Sequence, residues 1–301
     1  MKKSLLIFIL VLLMIGCGKN NKNNFIKDSY GNSVDTCKKY DRIVSIAPNI
    51  TEIIVKLDGK NRLVGRSSYC NYPNEVLSIE SIGEIVTPNF EKIVALQPDL
   101  VITSTHVKKE SVEKIKNAGI ICASLYGGES FDGVYSVIND TAKLLNREKE
   151  SEKLISEMKS NVEKLAKKTK EIPKKPKVYY MISYGKYGDY TAGKDTFISQ
   201  LISIAGGENI ANDVNGWKYG IEKIIEHNPD IIICSNKSNI LNDLKNLNGY
   251  KELSAVKENK VYGIDCDKID RQSYRVVEGL YDIAKILHPE LFDKNGRLKN
   301  E

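Results

Sequence analysis

Residues 89–102, NFEKIVALQPDLVI, and residues 220–233, GIEKIIEHNPDIII, align without a gap when Glu91 is set on Glu222. Glu, Lys, Ile, Pro, Asp and the final Ile coincide. Each copy reads as a short helix, a Pro-Asp stop and then a wholly apolar strand. Unrelated segments seldom share that order, so the chain carries an internal duplication.

Working outward, Arg42 to Ile46 reads as a strand, Ala47-Pro48-Asn49 as a turn and Ile50 to Leu57 as a helix. The pattern continues through Leu63-Val64-Gly65, the loop from Arg66 to Pro73, a helix over 89–96, a strand over 100–103, a helix over 109–118 and a strand over 120–123. Alternation of this kind predicts a mostly parallel sheet covered by helices. From Phe131 to Glu171 apolar residues recur at helical spacing with no strand signal, which predicts one long helix, or two broken near Asn146. Pro173 and Pro176 end it. The alternation then restarts with a strand over 177–182, helices over 196–205 and 221–227, and a strand over 231–234. The fold class is α/β. The expected divisions are a leader at 1–16, a tether and entry segment at 17–40, one lobe at 41–130, a connecting helix at 131–172 and a second lobe at 173–301. Two similar lobes place the largest concavity between them, where ligands usually bind.

The N-terminus supplies an address. Lys2 and Lys3 precede an apolar run from Leu5 to Ile15, too short to span a bilayer, and this reads as an export signal. Met14-Ile15-Gly16-Cys17 is similar to a bacterial lipobox, which makes Cys17 the expected site of lipidation and the membrane the expected anchor. The remaining cysteines, Cys37, Cys70, Cys122, Cys234 and Cys266, are odd in number, so at least one is unpaired within the chain.

Of 301 residues, 41% are hydrophobic and 28% charged, enough for a packed core under a solvated surface. The net charge of +6 is weak, and the lysines alternate with acids along helices, so nucleic acid is not an expected partner. An enzyme would need a nucleophile with its base, a carboxylate pair or a phosphate loop. Gly127-Gly128 and Gly206-Gly207 lack the spacing of a dinucleotide fingerprint, and no P-loop is present. With three histidines and no close cluster of ligands, no resident metal is expected. No catalytic residues and no cofactor are expected. The functions that remain are a ligand carrier or, from another class, a surface adhesin or receptor.

Five segments carry a family resemblance: 42–57 (RIVSIAPNITEIIVKL), 64–73 (VGRSSYCNYP), 89–102, 191–210 (TAGKDTFISQLISIAGGENI) and 274–292 (YRVVEGLYDIAKILHPELF). Together they resemble the solute-binding proteins of ABC importers for ferric siderophores, cobalamin or haem. The resemblance runs from about Asp41 to Phe292 and implies two Rossmann-like lobes joined by a long rigid α-helix, with little closure on ligand. It implies an extracytoplasmic location and an ABC permease with its ATPase as partner. It also implies that one exposed glutamate on each lobe, Glu91 and Glu222, docks on that permease. Each carboxylate lies in a helix's first turn, worth typically about 0.3 to 1 kcal/mol in any case.

Ligand contacts implied by position are Arg66, Tyr69 and Cys70, then Ser104, Thr105 and His106, then Trp217 and Tyr219, then Asp270 to Tyr274 with Arg271, and Arg275. Three arginines, Arg66, Arg271 and Arg275, would neutralise an anionic chelate, so a ferric siderophore is the first expectation. Cobalamin follows and haem comes third; Gly83-Glu84-Ile85 stands where the cobalamin binders carry a tryptophan, a departure that weakens the cobalamin expectation. His106 is the candidate for ligating a bound metal.

Overall fold

The computed structural model describes residues 24–104, 107–185, 188–237 and 240–299. In chain order the elements are β1 (Phe25–Lys27), β2 (Ser33–Asp35), β3 (Ile43–Ser45), α1 (Pro48–Lys56), β4 (Leu63–Arg66), α2 (Phe90–Ala95), β5 (Leu100–Thr103), α3 (Lys109–Asn117) and β6 (Cys122–Ser124). Two long helices follow, α4 (Phe131–Leu145) and α5 (Glu148–Lys170). The second half holds β7 (Lys177–Met181), β8 (Asp189–Tyr190), α6 (Phe197–Ile204), β9 (Glu208–Asn209), β10 (Lys218–Tyr219), α7 (Ile221–His227) and β11 (Ile231–Ser235). It closes with α8 (Ile240–Asp243), α9 (Ser254–Lys257), β12 (Val261–Ile264), α10 (Asp267–Asp270) and α11 (Val276–Leu287).

Two four-stranded parallel sheets result, ordered β4-β3-β5-β6 and β9-β7-β11-β12. Ranked by position within each sheet, both read 2-1-3-4, so the duplication seen in the residues is a duplication of topology. Strands such as Leu100-Val101-Ile102-Thr103 and Ile231-Ile232-Ile233-Cys234 are buried along their length, as a parallel sheet covered on both faces requires.

The repeated Pro-Asp has one job in both lobes. Asp99 accepts from the backbone N–H of Asp41 at 2.8 Å and of Arg42 at 3.1 Å, and its own N–H donates to the Arg42 carbonyl at 2.9 Å. Asp230 accepts from the Lys177 N–H at 2.8 Å and donates to the Lys177 carbonyl at 2.9 Å. The aspartate thereby clips the third strand of each lobe to the start of the first. The residue two before it, Gln97 or Asn228, turns the chain at positive φ, 46° and 43°. A basic side chain then covers the freed carbonyls at the helix end: Arg42 reaches Leu96 and Gln97, and Lys177 reaches His227.

The 131–171 segment forms two helices, not one. Asn146 ends α4 in the left-handed conformation at φ 55°, which asparagine tolerates. α4 packs on α1 and α5, and α5 packs on α6 and α11. One continuous apolar core therefore runs from Ile50 and Ile54 through Val134, Leu144, Met158 and Leu165 to Leu201 and Leu280. Parting the two halves would expose that surface at roughly 25 cal/mol per Å². Small satellite pairings, β1 with β2 and β8 with β10, are antiparallel and lie outside the main sheets. Among the described residues no helix is long and apolar enough to cross a membrane.

Candidate functional site

Parallel strands end at a common edge, and the loops leaving those edges in both lobes face one cavity of about 590 Å³. The first half contributes Ala47, Pro48 and Asn49 after β3, Ile85, Ser104 after β5, and Tyr126 and Glu129 after β6. The second contributes Ile182 after β7, Phe197 and Ile198 from the start of α6, Trp217, and Ile269 to Gln272. Most of the wall is apolar. Its polar groups are two carboxylates, one guanidinium, the Asn49 and Gln272 amides, the Ser104 hydroxyl and the Tyr126 phenol. Ile85, from the Gly83-Glu84-Ile85 stretch that departs from the cobalamin binders, is on the wall.

Glu129 ties the halves together at the cavity's edge. It accepts from the Tyr126 hydroxyl at 2.7 Å, from Gln272 Nε2 at 3.1 Å and from the Phe197 N–H at 3.1 Å, at the positive end of α6. Burial, with the bond to Glu129, pushes the Tyr126 phenol up to about 12.

A second tie centres on a buried carboxylate. Glu52, on α1 in the first half, is 0% exposed and meets Arg271 Nη1 at 3.0 Å and Arg275 Nη1 at 3.1 Å from the second half. The Ser273 hydroxyl donates to its other oxygen at 2.5 Å. Burial pushes the Glu52 carboxyl up, while the bonds from Ser273 and Arg271 and the nearby guanidinium charges pull it back. Arg271 also pairs with Asp267 at 3.1 Å, and Arg275 pairs with Asp265 at 3.4 Å and stacks 3.8 Å over the Tyr72 ring.

These contacts redistribute the residues singled out in the sequence. Trp217, Arg271, Ser104 and Asp270 line the cavity. Arg66 does not: it is buried and donates to the carbonyls of Ser67, Val76 and Leu77, ordering the loop that follows β4. Arg275 is buried in the Glu52 tie rather than offered to a ligand. Cys70 is buried against Ser67, and Tyr219 is buried with its hydroxyl on the Ile210 carbonyl. Tyr69 is exposed and its carbonyl accepts from Arg271 at 3.4 Å, but it is not on the wall. Thr105, His106 and Cys17 lie outside the described residues. Cys37, Cys70, Cys122, Cys234 and Cys266 are free thiols.

Tyr126 and Glu129 were not anticipated. Their signal was their place just past an apolar strand, the same place that drew attention to Ser104. Glu52 was hidden because one acid inside the helical run Ile50 to Leu57 looks like a solvated position.

The chain matches the periplasmic binding protein family over residues 43–267. It belongs to that family. It is 31% identical to an uncharacterized ABC transporter substrate-binding lipoprotein of Bacillus subtilis, over 89% of this chain and 86% of that protein. It is 25% identical to a cobalamin-binding protein of Halobacterium salinarum, over 87% and 73% of the two chains. A solved structure from Staphylococcus epidermidis, a solute-binding protein described as possible iron-binding, superposes with a TM-score of 0.74 at 30% identity, covering 83% of this chain and all of that one.

As a periplasmic binding protein the chain is a transport component of an ABC importer and works outside the cytoplasm. The cavity wall carries ionisable groups that the surrounding protein shifts. Surrounding protein pushes the Asp270 carboxyl up to about 6, with Asp267 adding to the rise and Arg271 and Lys237 opposing it. A folded-state value above the unfolded one, about 3.9, means that ionising Asp270 opposes folding, most fully above pH 6. Asp270 is itself exposed, so Asp270→Asn is expected to raise the melting temperature by no more than about 2 °C at about pH 7.5 and to change it little at about pH 4. Equal shifts at both values in thermal melts would mean that Asp270 titrates normally.

Proposed function

We propose that the protein is a lipid-anchored carrier that captures a corrinoid between its lobes and hands it to a permease with two equivalent subunits. The observation that carries the ligand class is that Arg271 is the only cationic side chain on the described wall and is already paired with Glu52 and Asp267. Arg66 and Arg275 are engaged by protein as well. The charge argument for an anionic ferric siderophore thus loses its three supports. The phenol on the described wall, Tyr126, is itself bonded to Glu129. A corrinoid carries its cobalt already coordinated, and asks mainly for apolar contact and for partners to its fringe of amides. Ile85, Ile182, Phe197, Ile198, Trp217 and Ile269 supply the first, and Asn49, Ser104 and Gln272 the second. The cobalamin-binding Halobacterium relative supports the same reading. The lipobox at Cys17 and the lipoprotein name of the Bacillus relative support the anchor.

Glu91 and Glu222 are exposed, at matching positions of the two lobes, and neither forms a salt bridge among the described residues. They are the docking carboxylates of this reading.

Trp217 is the single tryptophan of the chain and stands in the cavity wall, so it reports ligand directly. Saturable quenching by cyanocobalamin is expected at least about tenfold tighter than by haemin or a ferric catecholate, a gap of about 1.4 kcal/mol. Tighter binding of haemin or the ferric chelate would overturn the assignment.

A further inference from the structure

Acids and bases do not balance on the cavity wall. Arg271 is its only cation among the described residues, and Arg271 belongs to a network that closes on itself. Arg271 pairs with Glu52 and Asp267, and Arg275 pairs with Glu52 and Asp265. Lys237 completes the ring, with Nζ at 2.6 Å from Asp267 and 3.6 Å from Asp265. Three cations thus meet three carboxylates, and no positive charge is left over.

Two wall carboxylates stand outside that network, one from each half. The donors to Glu129 are the Tyr126 hydroxyl, the Gln272 amide and the Phe197 N–H, none of them a cation. Only the positive end of α6 offsets its charge. Asp270 is exposed on the opposite wall and enters no salt bridge among the described residues. Most of the remaining wall is apolar, and a cleft lined by one sign of charge with low-dielectric walls focuses the field rather than dispersing it.

We propose, on the corrinoid reading above, that the cavity selects among corrinoids by charge, favouring a cationic one without the nucleotide loop over complete cobalamin. Glu129 and Asp270 are the specificity-determining residues. In cyanocobalamin the corrin ring, the cyanide and the phosphodiester of the loop together cancel the charge of cobalt(III). Without the loop the phosphodiester is gone, and the corrinoid is a cation. Two carboxylates with no cation of their own attract that charge and repel a phosphodiester. Contact area works the other way, because the smaller ligand buries less surface. A preference for it therefore has no source in packing.

The test follows Trp217 quenching in the full-length protein at neutral pH and low salt, with aquocyanocobinamide against cyanocobalamin. The cobinamide is expected to bind at least about tenfold tighter, and added salt should shrink the ratio. Asp270→Asn should weaken the cobinamide more than cyanocobalamin and so lower the ratio, and adding Glu129→Gln should bring it near unity or reverse it. Since Glu129 also bridges the halves, Asp270→Asn alone carries the test if the double variant does not fold. Equal or tighter binding of cyanocobalamin by the unaltered protein, or a ratio that Asp270→Asn leaves unchanged, would overturn charge selection while the corrinoid reading stands. Saturation by neither corrinoid would sink the corrinoid reading itself.

Discussion

Replacing Glu52 by alanine is expected to lower the melting temperature by roughly 10 °C and to weaken ligand binding at the same time. Glu52 is fully buried and is shared by Arg271 and Arg275, which come from the other half of the molecule. Removing it leaves Arg275 inside the protein with Asp265 alone at 3.4 Å. Breaking a buried pair in this way costs about 3–5 kcal/mol, because the surviving charge stays desolvated. Glu52→Gln should fall between, since its one amide oxygen can still accept from Arg271 and Arg275 without carrying charge, while an NH2 donor replaces the oxygen that accepts from Ser273. The double change Glu52→Leu with Arg275→Met should recover part of the loss, as apolar replacements of buried ion pairs do. Ligand binding weakens because Arg271, one end of this tie, is part of the cavity wall, and a loosened wall must be ordered on binding. Thermal melts followed by circular dichroism, with Trp217 quenching alongside, check both. A shift of less than about 2 °C would show that the tie contributes no net stability.

Changing Glu91 and Glu222 together to glutamine is expected to abolish uptake while leaving ligand binding as it was. Neither residue lies on the cavity wall, and both are exposed on helices at matching positions. Truncating one partner of a desolvated charge pair costs about 2–5 kcal/mol, so losing both lowers association by a factor of roughly 100 or more. Each single variant should retain partial uptake, since the other lobe still engages. Transport of labelled cyanocobalamin into vesicles and Trp217 quenching separate the two steps. Normal uptake with weakened quenching is the opposite pattern and would assign the carboxylates to the ligand instead.

Several contacts join the two halves of the chain. The core continuous through α4 and α5, the Glu129 bridge and the Glu52 tie are these contacts. Glu91 on α2 and Glu222 on α7 take part in none of them and are exposed. A preformed cleft of this kind gives affinity by avoiding ordering on binding rather than by closing on its guest.

Much of this was legible in contiguous residues. The aligned runs at 89–102 and 220–233 carry the duplication, and the wholly apolar strands carry the parallel sheets, because buried strands need no alternation. The break at Asn146 and the stops at Gln97-Pro98 and Asn228-Pro229 are turn chemistry that operates over a few residues. The two-residue strands β8, β9 and β10 were not legible, since so short a segment has no period to detect.

Sequence alone thus determined two α/β units, their order, the helical passage between them and the matching glutamates on their surfaces, because periodicity and turns act locally. What each arginine does was decided only by tertiary structure. Arg271 and Arg275 meet Glu52 across 219 and 223 residues of chain, and Arg66 turns back onto carbonyls ten and eleven residues on. A guanidinium free to meet a ligand and one neutralised by a buried carboxylate are the same letter, and the difference is the partner that folding brings within about 3 Å.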